Sequence, residues 1–170
     1  MKNTEQSFYA KNHTHRYFVI AISTLIVGLL MYELSTRINR EAVNLELAQF
    51  EFRLAEIRAA VVLKEATLVA KNQMVLAGKY EGANPMEWMK EGSHYLGEMS
   101  LEAALGKAGK WVYDPRRQVI AYQFINKEFM QEKIKSDSNW LQFKVFALWS
   151  KEKNIKEAKG LVLKRVDETL

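Results

Sequence analysis

The sequence predicts an α+β protein: a long N-terminal helix, its first part suited to a membrane, laid over a small antiparallel sheet of three to four strands. Three observations predict it. An uncharged apolar run, YFVIAISTLIVGLLMY (17–32), stands near the N-terminus. Neither proline nor glycine interrupts 35–77, where apolar residues recur at spacings of three and four, the period of a helix. From Trp111 onward the period changes to two, the mark of strands. The implied organisation is a basic tail over 1–16, a membrane helix over 17–34, a helical extension over 35–78 and a small α+β domain over 79–170.

The tail carries Lys2, Lys11 and Arg16 against Glu5. The apolar run behind it, extended to Leu34, falls just short of the ~20 residues that span a bilayer. Its one charge, Glu33, lies at the far end, and Tyr17, Phe18 and Tyr32 bracket it where aromatic rings favour the headgroup level. A buried soluble helix would keep a polar face, but Ser23 and Thr24 are the only interior polar residues. A cleaved signal would be followed by a small-residue cleavage site, whereas Met31-Tyr32-Glu33-Leu34 runs on into more helix. An uncleaved anchor is therefore expected. Three basic residues before the span and two close behind it, Arg37 and Arg40, favour a cytoplasmic N-terminus by a thin margin. In a Gram-negative bacterium the protein is then a single-pass inner-membrane protein with a periplasmic domain.

The extension carries two apolar series. One runs Leu34, Ile38, Leu45, Ala48, Phe52, Ala55, Ala59, Val62, Ala66, Val69; the other runs Val43, Leu47, Phe50, Leu54, Ile57, Val61, Leu68. Positions two apart lie about 200° apart around a helix, so the stripes occupy roughly opposite sides, with Arg40, Asn44, Glu51 and Arg58 between them. Glu33, Arg37 and Glu41 are spaced for ion pairs worth only tenths of a kcal/mol. A helix with two opposed stripes needs two partners. Either one chain covers both, or one stripe packs on the chain's own sheet and the other meets a second helix, as in a coiled coil. The second series, Val43 to Leu68, is taken as the candidate partner-helix interface. Gly78 is the expected C-cap.

After the helix, Asn84-Pro85 marks a turn and Met86 to Lys90 a short helical turn. Gly92 to Gly109 reads as loop, with a small helix at Leu101–Leu105. Trp111–Tyr113 and Val119–Ile125 read as a hairpin around Asp114-Pro115-Arg116-Arg117. Lys127 to Asn139 is polar and reads as helical or irregular. Trp140–Trp149 and Leu161–Val166 are two further strands, the last opened by Gly160. So small a sheet needs a cover, and the distal half of the long helix is the only large element available.

Asn84-Pro85-Met86-Glu87-Trp88 with Tyr95-Leu96-Gly97-Glu98, and Trp111-Val112-Tyr113-Asp114 with Val119-Ile120-Ala121-Tyr122, resemble motifs of the MshF-type proteins of the MSHA (mannose-sensitive haemagglutinin) type IV pilus system. The layout of residues 17–125 resembles type IV pilins and pseudopilins. The resemblance implies a pilin-like fold, and a scaffold or minor pilin that contacts pilins or other pilus biogenesis proteins. No glycine precedes Tyr17 or Phe18, no acid stands in the span before Glu33, and no cysteine pair is present. These departures from the pilin pattern imply a membrane-retained biogenesis factor more than a filament subunit.

Composition narrows the chemistry. Hydrophobic residues make up 48% of the chain and charged ones 26%, enough for a buried core. The net charge of +5 is dispersed among acids, unlike the concentrated basic face of a nucleic-acid binder. No cysteine is present, which excludes disulfide and thiol chemistry. His13 and His15 lack the further ligands of a metal site. Ser93–His94 lacks an acid for a triad. Glu87, Glu91 and Glu98 read as solvated loop charges rather than an acid–base pair, and the glycines form no phosphate loop. No enzyme activity, metal or cofactor is expected. Trp111 and Trp140 are expected in the core, and Trp88 in core or interface. The expected partners are the lipid bilayer, other pilus proteins, or a second copy of the chain. The alternative is a membrane-tethered periplasmic ligand-binding or sensor domain, which requires an aromatic-lined pocket with convergent polar groups.

Overall fold

The computed structural model describes residues 3–89, 94–126, 140–150 and 158–166, with side chains from residue 15 onward. The chain divides into two compact units, Met1–Leu45 and Glu46–Leu170. One helix, α1 (Asn3–Ala70), runs through the boundary.

In the first unit nearly every described side chain is exposed, Val43 being buried. Among the described residues this is the one helix with a stretch long and apolar enough to cross a membrane. Within that stretch the Thr24 hydroxyl donates to the Ile20 carbonyl at 2.9 Å. The bond satisfies a group that would cost several kcal/mol unpaired in hydrocarbon. The predicted Glu33–Arg37 pair forms at 3.4 Å between two exposed side chains.

In the second unit α1 ends at Ala70, earlier than Gly78. Asn72 takes the left-handed conformation at φ 55°. Its N–H donates to Val69 O at 2.9 Å, and Gln73 N–H reaches Leu68 O at 2.8 Å. This paired closure needs a left-handed residue, and asparagine tolerates one, so the helix stops before the glycine. Gly78 instead lies inside a 3-10 helix, Met74–Tyr80. A second 3-10 turn, Pro85–Trp88, is capped by Asn84, whose Oδ1 accepts from Met86 N–H at 3.1 Å.

The sheet has five strands rather than three or four, and it is mixed rather than antiparallel. β1 (Tyr95–Glu98), β2 (Trp111–Asp114), β3 (Val119–Tyr122), β4 (Leu141–Trp149) and β5 (Ala158–Arg165) lie in sequence order. β1 pairs parallel to β2, and the remaining neighbours are antiparallel. β1 falls in the stretch expected to be loop. Four residues with no alternation carry no strand signal, and the pairing is made by backbone. β3 stops at Tyr122, and beyond it Ile125 N–H donates to the Glu46 carboxylate at 2.7 Å. β5 starts at Ala158, before Gly160. Residues 101–106 form turns rather than a helix. The expectation for Lys127–Asn139 lies outside the described residues.

The core has two layers. Alternation puts Trp111, Tyr113, Ile120, Tyr122, Phe143 and Val145 on one sheet face, all buried. Phe50 of α1 enters this layer. It stacks on Trp111 with centroids 5.4 Å apart and planes 9° apart, and it meets Tyr122 at 5.2 Å and Phe124 at 5.0 Å. On the other face the connection between β1 and β2 folds back, packing Leu101 and Ala104 on Val112, Ala121 and Trp140.

Candidate functional site

The two stripes of α1 are real, but their roles are opposite to the expectation. Phe50, Leu54, Ile57, Val61 and Leu68 are buried within the chain, Ile57 and Val61 almost completely at 0% and 1% exposure. Val43 is buried also, and Leu47 half-buried. These seven residues are the expected partner interface, and the second unit itself covers five of them, Phe50, Leu54, Ile57, Val61 and Leu68. The reason is size. This stripe carries Phe, Leu, Ile and Val where the other alternates with Ala48, Ala55, Ala59 and Ala66. Packing the bulkier side on the sheet removes more apolar area from water, at about 25 cal/mol per Å².

The stripe left outward is the first series. Phe52 is 62% exposed, Val62 62% and Val69 58%, and Ala48, Ala55, Ala59 and Ala66 of the same stripe are exposed as well. Its orientation is set by carboxylates on the helix flanks. Glu46 Oε1 accepts from Ile125 N–H at 2.7 Å and from the Tyr122 hydroxyl at 3.4 Å. Glu65 Oε2 accepts from Leu161 N–H at 3.2 Å. Together they fix the rotation of α1 on the sheet. Burial, reinforced by the neighbouring Glu46 charge, pushes the Tyr122 hydroxyl well above its ordinary pKa, so it remains a proton donor.

A cleft of about 230 Å³ opens beside the helix, lined by Gln49, Phe50, Phe52, Arg53, His94, Gly109, Trp111 and Tyr122. Phe50, Trp111 and Tyr122 form an aromatic floor, while Gln49, Arg53 and His94 bring polar groups. Arg53 Nη1 is engaged by Glu56 Oε2 at 2.6 Å. The lining holds no carboxylate, hydroxyl nucleophile or thiol beyond the raised Tyr122 phenol. The sequence pattern did not reveal the cleft, because Gly109, His94 and the helix residues meet only through the sheet.

The motif residues converge on a structural knot. Asn84 Nδ2 donates to the Tyr95 hydroxyl at 2.9 Å and to Glu98 Oε1 at 3.1 Å. The Tyr113 hydroxyl donates to Gly82 O. Burial, together with Glu98 and Glu87, raises the Tyr113 pKa, and burial raises that of Tyr95 against the lowering bond from Asn84. Asp114 is buried: Oδ1 accepts from Arg116 N–H at 2.9 Å and Arg117 N–H at 3.2 Å, and Oδ2 from Leu101 N–H at 3.2 Å. Burial favours its neutral form, but these bonds and Arg117 outweigh it and hold the carboxyl below its ordinary pKa. Trp88 sits edge-on to Tyr80 at 5.9 Å, with Lys64 Nζ 4.2 Å from the Tyr80 ring. Trp111 and Trp140 are buried as expected, and Trp149 is about half exposed.

The remaining sequence candidates do not assemble. His15 is exposed, and the His13 side chain, Ser93 and Glu91 lie outside the described residues. Among the described residues no group of three His, Cys, Asp or Glu side chains is placed to hold a metal ion. Comparison with family models, with curated proteins and with solved structures finds no match to this chain.

Proposed function

We propose that the chain is a non-enzymatic, single-pass inner-membrane protein of MSHA-like type IV pilus biogenesis, with its N-terminus in the cytoplasm and a pilin-like domain in the periplasm. It acts as a scaffold or minor pilin through helix-mediated contacts. One observation carries the reading: α1 joins an apolar stretch of membrane-spanning length to an exposed apolar stripe centred on Phe52, Ala59 and Val62. The chain spends no polar cover on that stripe, and a monomer in water gains nothing from it. The motif resemblance supplies the pilus context. A strain lacking the chain should assemble fewer surface pili, and Phe52→Glu should fail to restore them while staying membrane-bound. Normal piliation without the chain would remove the pilus role.

The aromatic cleft supports a second reading, a membrane-tethered sensor of small ring-bearing molecules. Its volume of about 230 Å³ is below the ~300–1,000 Å³ of typical ligand pockets. A thermal-shift screen of the detergent-solubilised chain tests it. A stabilising compound whose effect disappears in Arg53→Ala supports the sensor; no stabilising compound leaves the scaffold.

A further inference from the structure

We propose that the cleft beside α1 takes a single aromatic ring bearing a carboxylate, a ligand of the benzoate class, with the ring against Phe52 and the carboxylate toward Arg53 and His94. The proposal rests on the ligand-binding reading of the cleft and not on the pilus reading. All of the lining residues belong to the second unit.

The floor of the cleft selects for electron-rich groups. Phe50 and Trp111 lie face to face, 5.4 Å apart with planes 9° apart. Tyr122 tilts against both at 5.2 Å, and all three rings are buried. Their faces are spent on one another, which leaves edges for the cleft. The edge of an aromatic ring is the positive part of its quadrupole. Phe52 differs, because it is exposed and lines the same cleft. It offers a ring face on which a ligand ring packs, offset or edge-on.

The polar lining supplies donors. Arg53 only donates, and Gln49 and His94 are able to donate. No carboxylate lines the cleft, so a cationic ligand finds no counter-charge there, and a sugar finds no carboxylate to accept its hydroxyls. Glu56 lies outside the lining and holds Arg53 Nη1 at 2.6 Å. A guanidinium has five N–H donors in a planar fork, so this one bond orients the group without exhausting it. Glu46 Oε1, beneath the floor, accepts from Ile125 N–H and the Tyr122 hydroxyl. A carboxylate is the ligand group whose geometry matches the fork.

His94 marks the rim as more than a loop. Its φ is 66°, a conformation that costs any residue with a Cβ and that clusters at ligand sites. Its carbonyl accepts Trp111 N–H at 2.8 Å, which ties the residue to the first position of β2. The volume sets the size. About 230 Å³ is less than a drug-sized ligand needs; it admits one six-membered ring with its carboxylate and turns away fused ring systems.

The test uses the full detergent-solubilised chain with 4-fluorobenzoate as the probe, read by fluorine NMR line broadening. Broadening is expected, and benzoate should reverse it. At least about tenfold more benzamide, which keeps the ring but loses the charge, and about threefold more cyclohexanecarboxylate, which keeps the charge but loses the ring, should be needed for the same reversal. Arg53→Ala should abolish the broadening, and Phe52→Ala should weaken binding several-fold. His94→Asn tests the rim with a residue that tolerates the left-handed conformation, and it should weaken binding too. Each variant is compared at an unchanged melting midpoint, and if one fails to fold the other two decide. Equal competition by benzoate and benzamide overturns the carboxylate class and leaves the ligand-binding reading standing. So does a neutral ring compound that stabilises the chain through Arg53 while 4-fluorobenzoate stays sharp. Broadening that survives all three substitutions overturns the assigned site. No binding by 4-fluorobenzoate or by any compound of the thermal-shift screen overturns both the proposal and the reading beneath it.

Discussion

The carboxylate of Glu65 accepts the backbone N–H of Leu161 at 3.2 Å, so a helix side chain closes part of the free edge of β5. β5 is the last strand in the sheet order, and unpaired edge donors invite pairing with another chain. Gly160 makes the approach close: a Cβ there would lie 3.0 Å from Glu65 Oε1. Glu65→Ala strands a half-buried donor, at a cost of about 1–3 kcal/mol, and opens the edge. It should lower the denaturation midpoint and increase aggregation on storage, and Glu65→Gln, which keeps an acceptor, should restore most of both. Unchanged stability and solubility in Glu65→Ala would refute this role.

Phe50 and Phe52 are two residues apart, and the structure gives them opposite fates. Phe50 lies 5.0–5.4 Å from the rings of Trp111, Tyr122 and Phe124, whereas Phe52 is 62% exposed. Phe50→Ala should cost ~3–5 kcal/mol, enough to unfold much of a marginal domain. Phe52→Ala should change intrinsic stability by no more than ~0.5 kcal/mol. Urea melts of the solubilised protein compare them, and equal losses would mean the stripes are misassigned.

That pair also shows how far the sequence could be read. Periodicity fixes the long helix and both stripes, and Asp114-Pro115 fixes the hairpin, because each signal is local. Which stripe faces inward is not local. It depends on the aromatic layer of Trp111, Tyr122 and Phe143, assembled from three strands, and on Glu46 and Glu65 finding donors about 79 and 96 residues away in sequence. β1 was illegible because its partner lies beyond the folded-back connection. The Asn72 stop was hidden behind a more conspicuous glycine at 78. The cleft needed the three-dimensional meeting of Arg53, His94 and Gly109.

Asp114 makes stability depend on acid. Its folded pKa lies below the ordinary 3.8 because three backbone N–H groups and Arg117 outweigh its burial. A depressed carboxyl contributes stability that is fully present above the unfolded pKa and is lost as pH falls through the folded one. The wild type should therefore lose stability below about pH 4. Asp114→Asn should start less stable at neutral pH and show a shallower acid slope. Parallel slopes in the two proteins between about pH 2 and 5 would place the acid sensitivity elsewhere.

Gly82 tests the motif knot. It holds φ at 69°, its N–H donates to Val145 O at 2.8 Å, and its carbonyl accepts the Tyr113 hydroxyl. A Cβ would come within 2.9 Å of the Gln118 Cβ, itself on a left-handed residue of the hairpin turn. Alanine in that conformation costs about 1–2 kcal/mol before any clash. Gly82→Ala should destabilise by at least that amount, and Gln118→Ala alone should be far milder. The double variant cannot recover the conformational part, because removing Gln118 relieves only the steric one. If thermal melts show Gly82→Ala as stable as the wild type, neither the left-handed conformation at 82 nor the close approach of Gln118 constrains the loop before Asn84.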